Sequence, residues 1–103
     1  MADWYKKLYV GKNAKERERR IRRQISRGTA APGIYLVTFS SNGQDQLDII
    51  EARYLTRKRI RESLPEIVGI ALGYQEALEI VAQIAKESYD STGDCDLRSY
   101  LGK

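Results

Sequence analysis

Arginines gathered at helical spacing are the residues of this chain best placed to do chemistry. Residues 15–27 hold six Arg and one Lys against two Glu. A helix turns about 100° per residue. At that step Lys15, Arg19, Arg20, Arg22, Arg23 and Arg27 fall on one arc, and Ala14, Ile21 and Ile25 on a narrow stripe opposite. Three apolar residues dock a helix without burying it, so the arginine arc faces outward. A guanidinium is a planar fork that meets two phosphate oxygens at once. The arc therefore predicts binding of a polyanion, nucleic acid above all. The competing account is a solvated helix with its charges partly answered in place. Glu16 can meet Arg20 and Glu18 can meet Arg22, each pair worth a few tenths of a kcal/mol. Two acids do not answer seven bases. Arg57, Lys58 and Arg59, with Arg61, form a second basic cluster that would extend the first if the fold sets them side by side.

Other chemistries lack their residues. The chain has no histidine, which removes the usual ligand of zinc sites and the usual base of catalytic triads. Cys95 is alone; no intrachain disulfide forms, and its flanking Asp94 and Asp96 raise a thiol pKa instead of activating it. Asp45, Asp48 and Glu51 could serve acid–base or hard-cation chemistry. The odd spacing of Asp48 and Glu51, however, sends them to opposite faces of a strand. Asp90, Asp94 and Asp96 miss the spacing of a calcium loop. Gly69 and Gly73 are not followed by a phosphate-binding glycine pattern, and Glu76 would repel a phosphate at the helix start beyond them. No catalytic residue, metal ligand or cofactor is expected.

These residues must be held by a scaffold, and its centre is the run Ile67-Val68-Gly69-Ile70-Ala71-Leu72, fenced by Pro65 and Gly73. Short, β-branched and bounded by breakers, it predicts a strand at 66–72 buried on both faces. Gly69 within it predicts a bulge or the close approach of another element. Apolar residues at helical spacing follow, which predicts a helix at 75–90 ended by Gly93. A hairpin is expected over 34–52, turning at Asn42-Gly43. Two registers fit it: Leu36 opposite Ile49 with a two-residue turn, or Val37 opposite Ile49 with a three-residue turn. For residues 13–27 the expected signals are Asn13 as N-cap, Glu16 completing a capping box, and Gly28 just past the end. Residues 4–11 fit either a strand or a helical turn, with Trp4, Leu8 and Val10 as anchors to the core. Residues 54–64 fit a short helix or a basic loop. Alternation of Cys95, Leu97, Ser99 and Leu101 with polar neighbours fits an edge strand at 95–101. The expected class is α+β, helices on one face of a small mixed or antiparallel sheet, in a single domain spanning 1–103.

Charge is segregated along the chain. Residues 1–30 carry ten bases and three acids, residues 31–52 three acids only, residues 53–61 five bases only, and the remainder eight acids and three bases. Such blocks suggest a charged partner or self-association. Seven Tyr against one Phe also suits partly wet contact surfaces. The expectation is a small non-catalytic, cytoplasmic domain that binds nucleic acid through its basic helix with little sequence preference. The alternative is a self-associating or adaptor domain, a homo-oligomer included. No run is apolar and long enough to span a membrane.

Overall fold

Among the described residues, four strands and four α-helices make an α+β fold around one mixed sheet. The computed structural model describes residues 3–40, 46–94 and 96–102. The turn expected at 41–44, and with it Asp45 and Cys95, lies outside them. Strand β1 is Trp4–Val10, β2 Ile34–Phe39, β3 Leu47–Glu51 and β4 Ile67–Leu72. Helix α1 is Glu18–Arg27, α2 Lys58–Glu62, α3 Tyr74–Thr92 and α4 Leu97–Tyr100. The sheet order is β1-β4-β2-β3. Strand β4 lies parallel to β1 and antiparallel to β2, and β2 lies antiparallel to β3.

The two inner strands explain why the helices cover both faces of the sheet and not one, as the sequence suggested. On one side Ile34, Leu36, Ile67 and Ile70 join Ile21 and Ile25 of α1. On the other, Val37, Phe39, Val68 and Ala71 join Ala77, Ile80 and Ile84 of α3. Strands apolar on both sides require a layer on each. The link from β3 to β4 passes β2 on the α1 side, where Ala52, Leu55 and Leu64 pack into the first cluster.

Gly69 fulfils both expectations made for it. Thr38 pairs with Ile67 and the preceding Val37 with Gly69, so β4 carries one extra residue there. A Cβ on Gly69 would stand 3.1 Å from Ile80 Cγ2 and 3.3 Å from the Tyr9 carbonyl oxygen. The bulge explains how Val68 reaches the α3 side while Ile67 and Ile70 both reach the α1 side. In the hairpin, Val37 stands opposite Ile49 and Phe39 opposite Leu47, the second of the two expected registers. Asp48 stands opposite Thr38 and Glu51 opposite Tyr35, on different faces. The Glu51 carboxylate accepts the Gly33 N–H at 3.2 Å and pairs with Arg53 at 3.3 Å.

The strand expected at 95–101 is instead the helical turn α4. Asp96 caps it, accepting the Ser99 N–H and hydroxyl at 3.3 and 2.9 Å. Leu97 and Leu101, four apart, are both buried in the α3-side cluster. Four-residue spacing puts two leucines on one side of a helix; the two-residue alternation that suggested a strand is satisfied by the same residues.

Strand β1 is tied to α3 by a hydroxyl. Tyr9 donates to Glu87 Oε1 at 2.6 Å, Tyr100 reaches the same oxygen at 3.4 Å, and Gln83 donates to Oε2 at 3.0 Å. Burial, then the bond and charge of Glu87, hold the Tyr9 phenol well above its usual range. The Tyr9 bond, then that of Gln83, lowers the Glu87 carboxyl. The signs fix two pH limits. Above about 10, the ordinary tyrosine value, the folded chain holds the Tyr9 proton more tightly than the unfolded one, so stability falls as pH rises. Below about 4.3, the ordinary glutamate value, the unfolded chain takes up the Glu87 proton first, so stability falls as pH drops. Urea midpoints measured across pH should show Tyr9→Phe abolishing its share of the alkaline limb and weakening the acid limb, and Glu87→Gln removing its share of the acid limb and weakening the alkaline one. Unchanged limbs in both variants would refute the assignment.

Candidate nucleic-acid interface

Helix α1 lies on the sheet along the stripe read from its spacing: Ala14, Ile21 and Ile25 are all buried. Its end is closed as expected. Gly28 is left-handed at φ 72°, its N–H meets the Gln24 and Ile25 carbonyls, and the Thr29 N–H meets Gln24 O at 2.9 Å.

Its start differs from the expected capping box. Lys15–Arg17 is a 3-10 turn, the α-helix begins at Glu18, and no side chain caps either segment. The Asn13 N–H instead donates to Glu76 Oε1 at 2.6 Å. Glu76 Oε2 accepts the Leu72 N–H, also at 2.6 Å. This carboxylate, buried in the first turn of α3, thus joins the end of β4 to the loop that launches α1. Gly11 is what lets it in: a Cβ there would overlap the Glu76 side chain.

The outward arc is uncompensated. Lys15, Arg19, Arg20, Arg23 and Arg27 are exposed, and among the described residues none has a carboxylate within ion-pair distance. Glu16 makes no pair with Arg20. Arg22 is the exception: it meets Glu18 at 3.1 Å, and its guanidinium lies 4.8 Å above the Trp4 ring. Arg22 marks the flank of α1 turned toward β1. On the other flank Arg20 and Gln24, with Arg17 just before the helix, line a crevice with Ile21, Ala31, Pro32, Ile34 and Leu72. Sequence reasoning did not single out Arg17, whose angle borders the apolar stripe, or Gln24, which carries no charge.

The second basic cluster abuts the end of α1. A Cβ on Gly28 would collide with Arg61 Nη1 and with Leu55 O. Arg61 is turned inward, donating to Leu55 O at 2.9 Å and Thr56 O at 2.8 Å. It staples the link and is spent there. Arg57, Lys58 and Arg59 remain exposed just beyond it, with Lys58 held 3.8 Å from Glu62. No helix among the described residues is long and apolar enough to cross a membrane.

The chain matches no family model, no curated protein and no solved structure.

Proposed function

We propose that this chain is a small non-catalytic binding domain whose α1 face engages nucleic acid through its phosphates, with little sequence preference. The observation that carries it is the set of five exposed cations, Lys15 in the 3-10 turn and Arg19, Arg20, Arg23 and Arg27 on α1, with no carboxylate set against them among the described residues. Charge that a protein leaves unanswered on one side is a footprint for a polyanion. Arg22 contributes less, because Glu18 and Trp4 already hold it, and Arg57, Lys58 and Arg59 extend the face past Gly28. Nothing on the arc offers a fixed pattern of donors and acceptors to a base edge, so the arginines position the partner without reading it. A lone thiol, Cys95, suits a reducing compartment, and a cytoplasmic location goes with this role. The test is fluorescence anisotropy with labelled strands of mixed sequence, for the wild type and for a variant with Arg19, Arg20 and Arg23 changed to Glu. Binding that the variant loses supports the role; binding that it keeps rejects it.

Self-association is the second proposal, supported by Tyr74, Leu78 and Tyr89, large side chains of α3 that are 53, 39 and 61% exposed. An acidic α3 face meeting a neighbour's α1 is the weaker form of that idea. Glu76 is buried on backbone donors, Glu87 is engaged by Tyr9, and Asp90 is paired with Lys86. Light scattering at high micromolar concentration separates the two roles: a monomer that gains mass with nucleic acid fits the first alone.

A further inference from the structure

One flank of α1 closes onto the sheet over a crevice of about 180 Å3. Ile21 and Ile34 form its floor, Leu72, Ala31 and Pro32 its walls, and Arg17, Arg20 and Gln24 its rim. The floor is 2–4% exposed, whereas Ala31 and Pro32 are open to solvent. Neither arginine has a carboxylate partner among the described residues. The Gln24 side-chain amide has no hydrogen bond there either, although its backbone carbonyl is taken by Gly28 and Thr29. A slot with an apolar floor and a polar rim, two guanidiniums and an amide among its lining groups, suits a flat ring that carries a phosphate. The volume sets the size of the ring. Sites for drug-sized molecules run from about 300 Å3 upward, so this one takes a single ring system.

We propose that the crevice receives one unstacked base of a single-stranded nucleic acid, with Arg17 and Arg20 on the adjoining phosphates and the Gln24 amide on the base edge. This rests on the polyanion-binding role of α1 and gives it a preference for single strands. In a duplex a base must be unpaired and unstacked, at a cost in free energy, before it can enter a slot; a free strand avoids most of that cost. Arg20 belongs both to the outward arc and to the rim, so a strand tracking Arg19, Arg20 and Arg23 passes the mouth of the crevice. Its apolar floor meets any ring and its rim holds a single amide, so it takes any base with modest preference.

The test compares two strands of equal length and charge, about 15 nucleotides, within the usual span of a single-strand site. One is oligothymidylate and the other carries abasic sugars throughout; a duplex of the same length, with about twice the charge, is the third ligand. The expected result is thymidylate binding about fivefold or more tighter than the abasic strand, and tighter than the duplex. Ala31→Phe fills the crevice from its exposed wall without touching the floor. It should bring thymidylate down to the abasic affinity and leave abasic binding unchanged, with an unaltered thermal melt as the control for folding; Gln24→Ala should act in the same direction more weakly. Equal affinity of wild type for thymidylate and abasic strands overturns the crevice and leaves the phosphate-binding face standing. Failure to bind any of the three overturns both.

Discussion

Replacing Glu76 with alanine is expected to lower stability by about 3 kcal/mol, since bonds from backbone donors to a charged acceptor contribute roughly 1.5–3 kcal/mol each. Two donors, the N–H groups of Leu72 and Asn13, lose their acceptor together. Neither has a substitute close by, because Leu72 closes β4 and Asn13 sits in the loop that launches α1. In a chain of this size the loss corresponds to a fall of roughly 12 °C or more in Tm. Glu76→Gln should cost less, since its carbonyl oxygen still accepts one donor. Gly11→Ala should destabilise by about 1–3 kcal/mol, as overpacking does, because the added methyl displaces the Glu76 side chain. The two changes are coupled through that contact. Once residue 76 is alanine the three atoms nearest the methyl at 11 are gone, so the double variant should be little less stable than Glu76→Ala alone. Urea unfolding of the four proteins checks the cycle; strictly additive losses would mean that Gly11 is needed for some other reason.

The second large effect concerns binding. Changing Arg19, Arg20 and Arg23 together to Glu is expected to weaken nucleic-acid binding by about a hundredfold or more at low salt, since every phosphate that the protein no longer neutralises keeps its condensed counterion. The substitution also places three carboxylates where phosphates would sit. Stability should hold or rise slightly, because these side chains are exposed, lack ion pairs among the described residues, and repel one another along one helix. That pairing of outcomes is the useful part: a variant that keeps its thermal melt and loses binding separates the surface from the scaffold. Changing Arg61 to Glu should do the reverse. Its guanidinium holds the Leu55 and Thr56 carbonyls, so the melt falls first.

Local patterns carried much of this fold into the sequence. The buried run at 67–72 and the helix after it are legible because breakers fence them and their periods differ. The stripe of Ala14, Ile21 and Ile25 is legible for the same reason, and with it the arginine arc. What escaped was set by distant parts of the chain. Among the described residues strand β1 pairs with β4 alone, far along the chain. Its side chains alternate between two cores, Trp4, Leu8 and Val10 on one side and Tyr5 and Tyr9 on the other, so no single apolar face announces it. The missing capping box has the same origin: a glutamate 63 residues away takes the Asn13 donor. At 97–101 two periods coincide on the same leucines, and the Asp96 cap decides between them. The crevice beside α1 draws on Arg17, Arg20, Ile21 and Gln24, on Ala31, Pro32 and Ile34, and on Leu72, which only the folded chain brings together. The arc could be read from one helix; its neighbouring slot could not.

The unanswered charge on α1 is tested most directly by the salt dependence of binding. Dissociation constants for a labelled single strand, measured from low to physiological salt, should give a log–log slope of association between about −2.8 and −3.5, as expected for four to five phosphates neutralised by Lys15, Arg19, Arg20, Arg23 and Arg27. A slope near zero, or no binding even at the lowest salt, would contradict a polyanion-binding face.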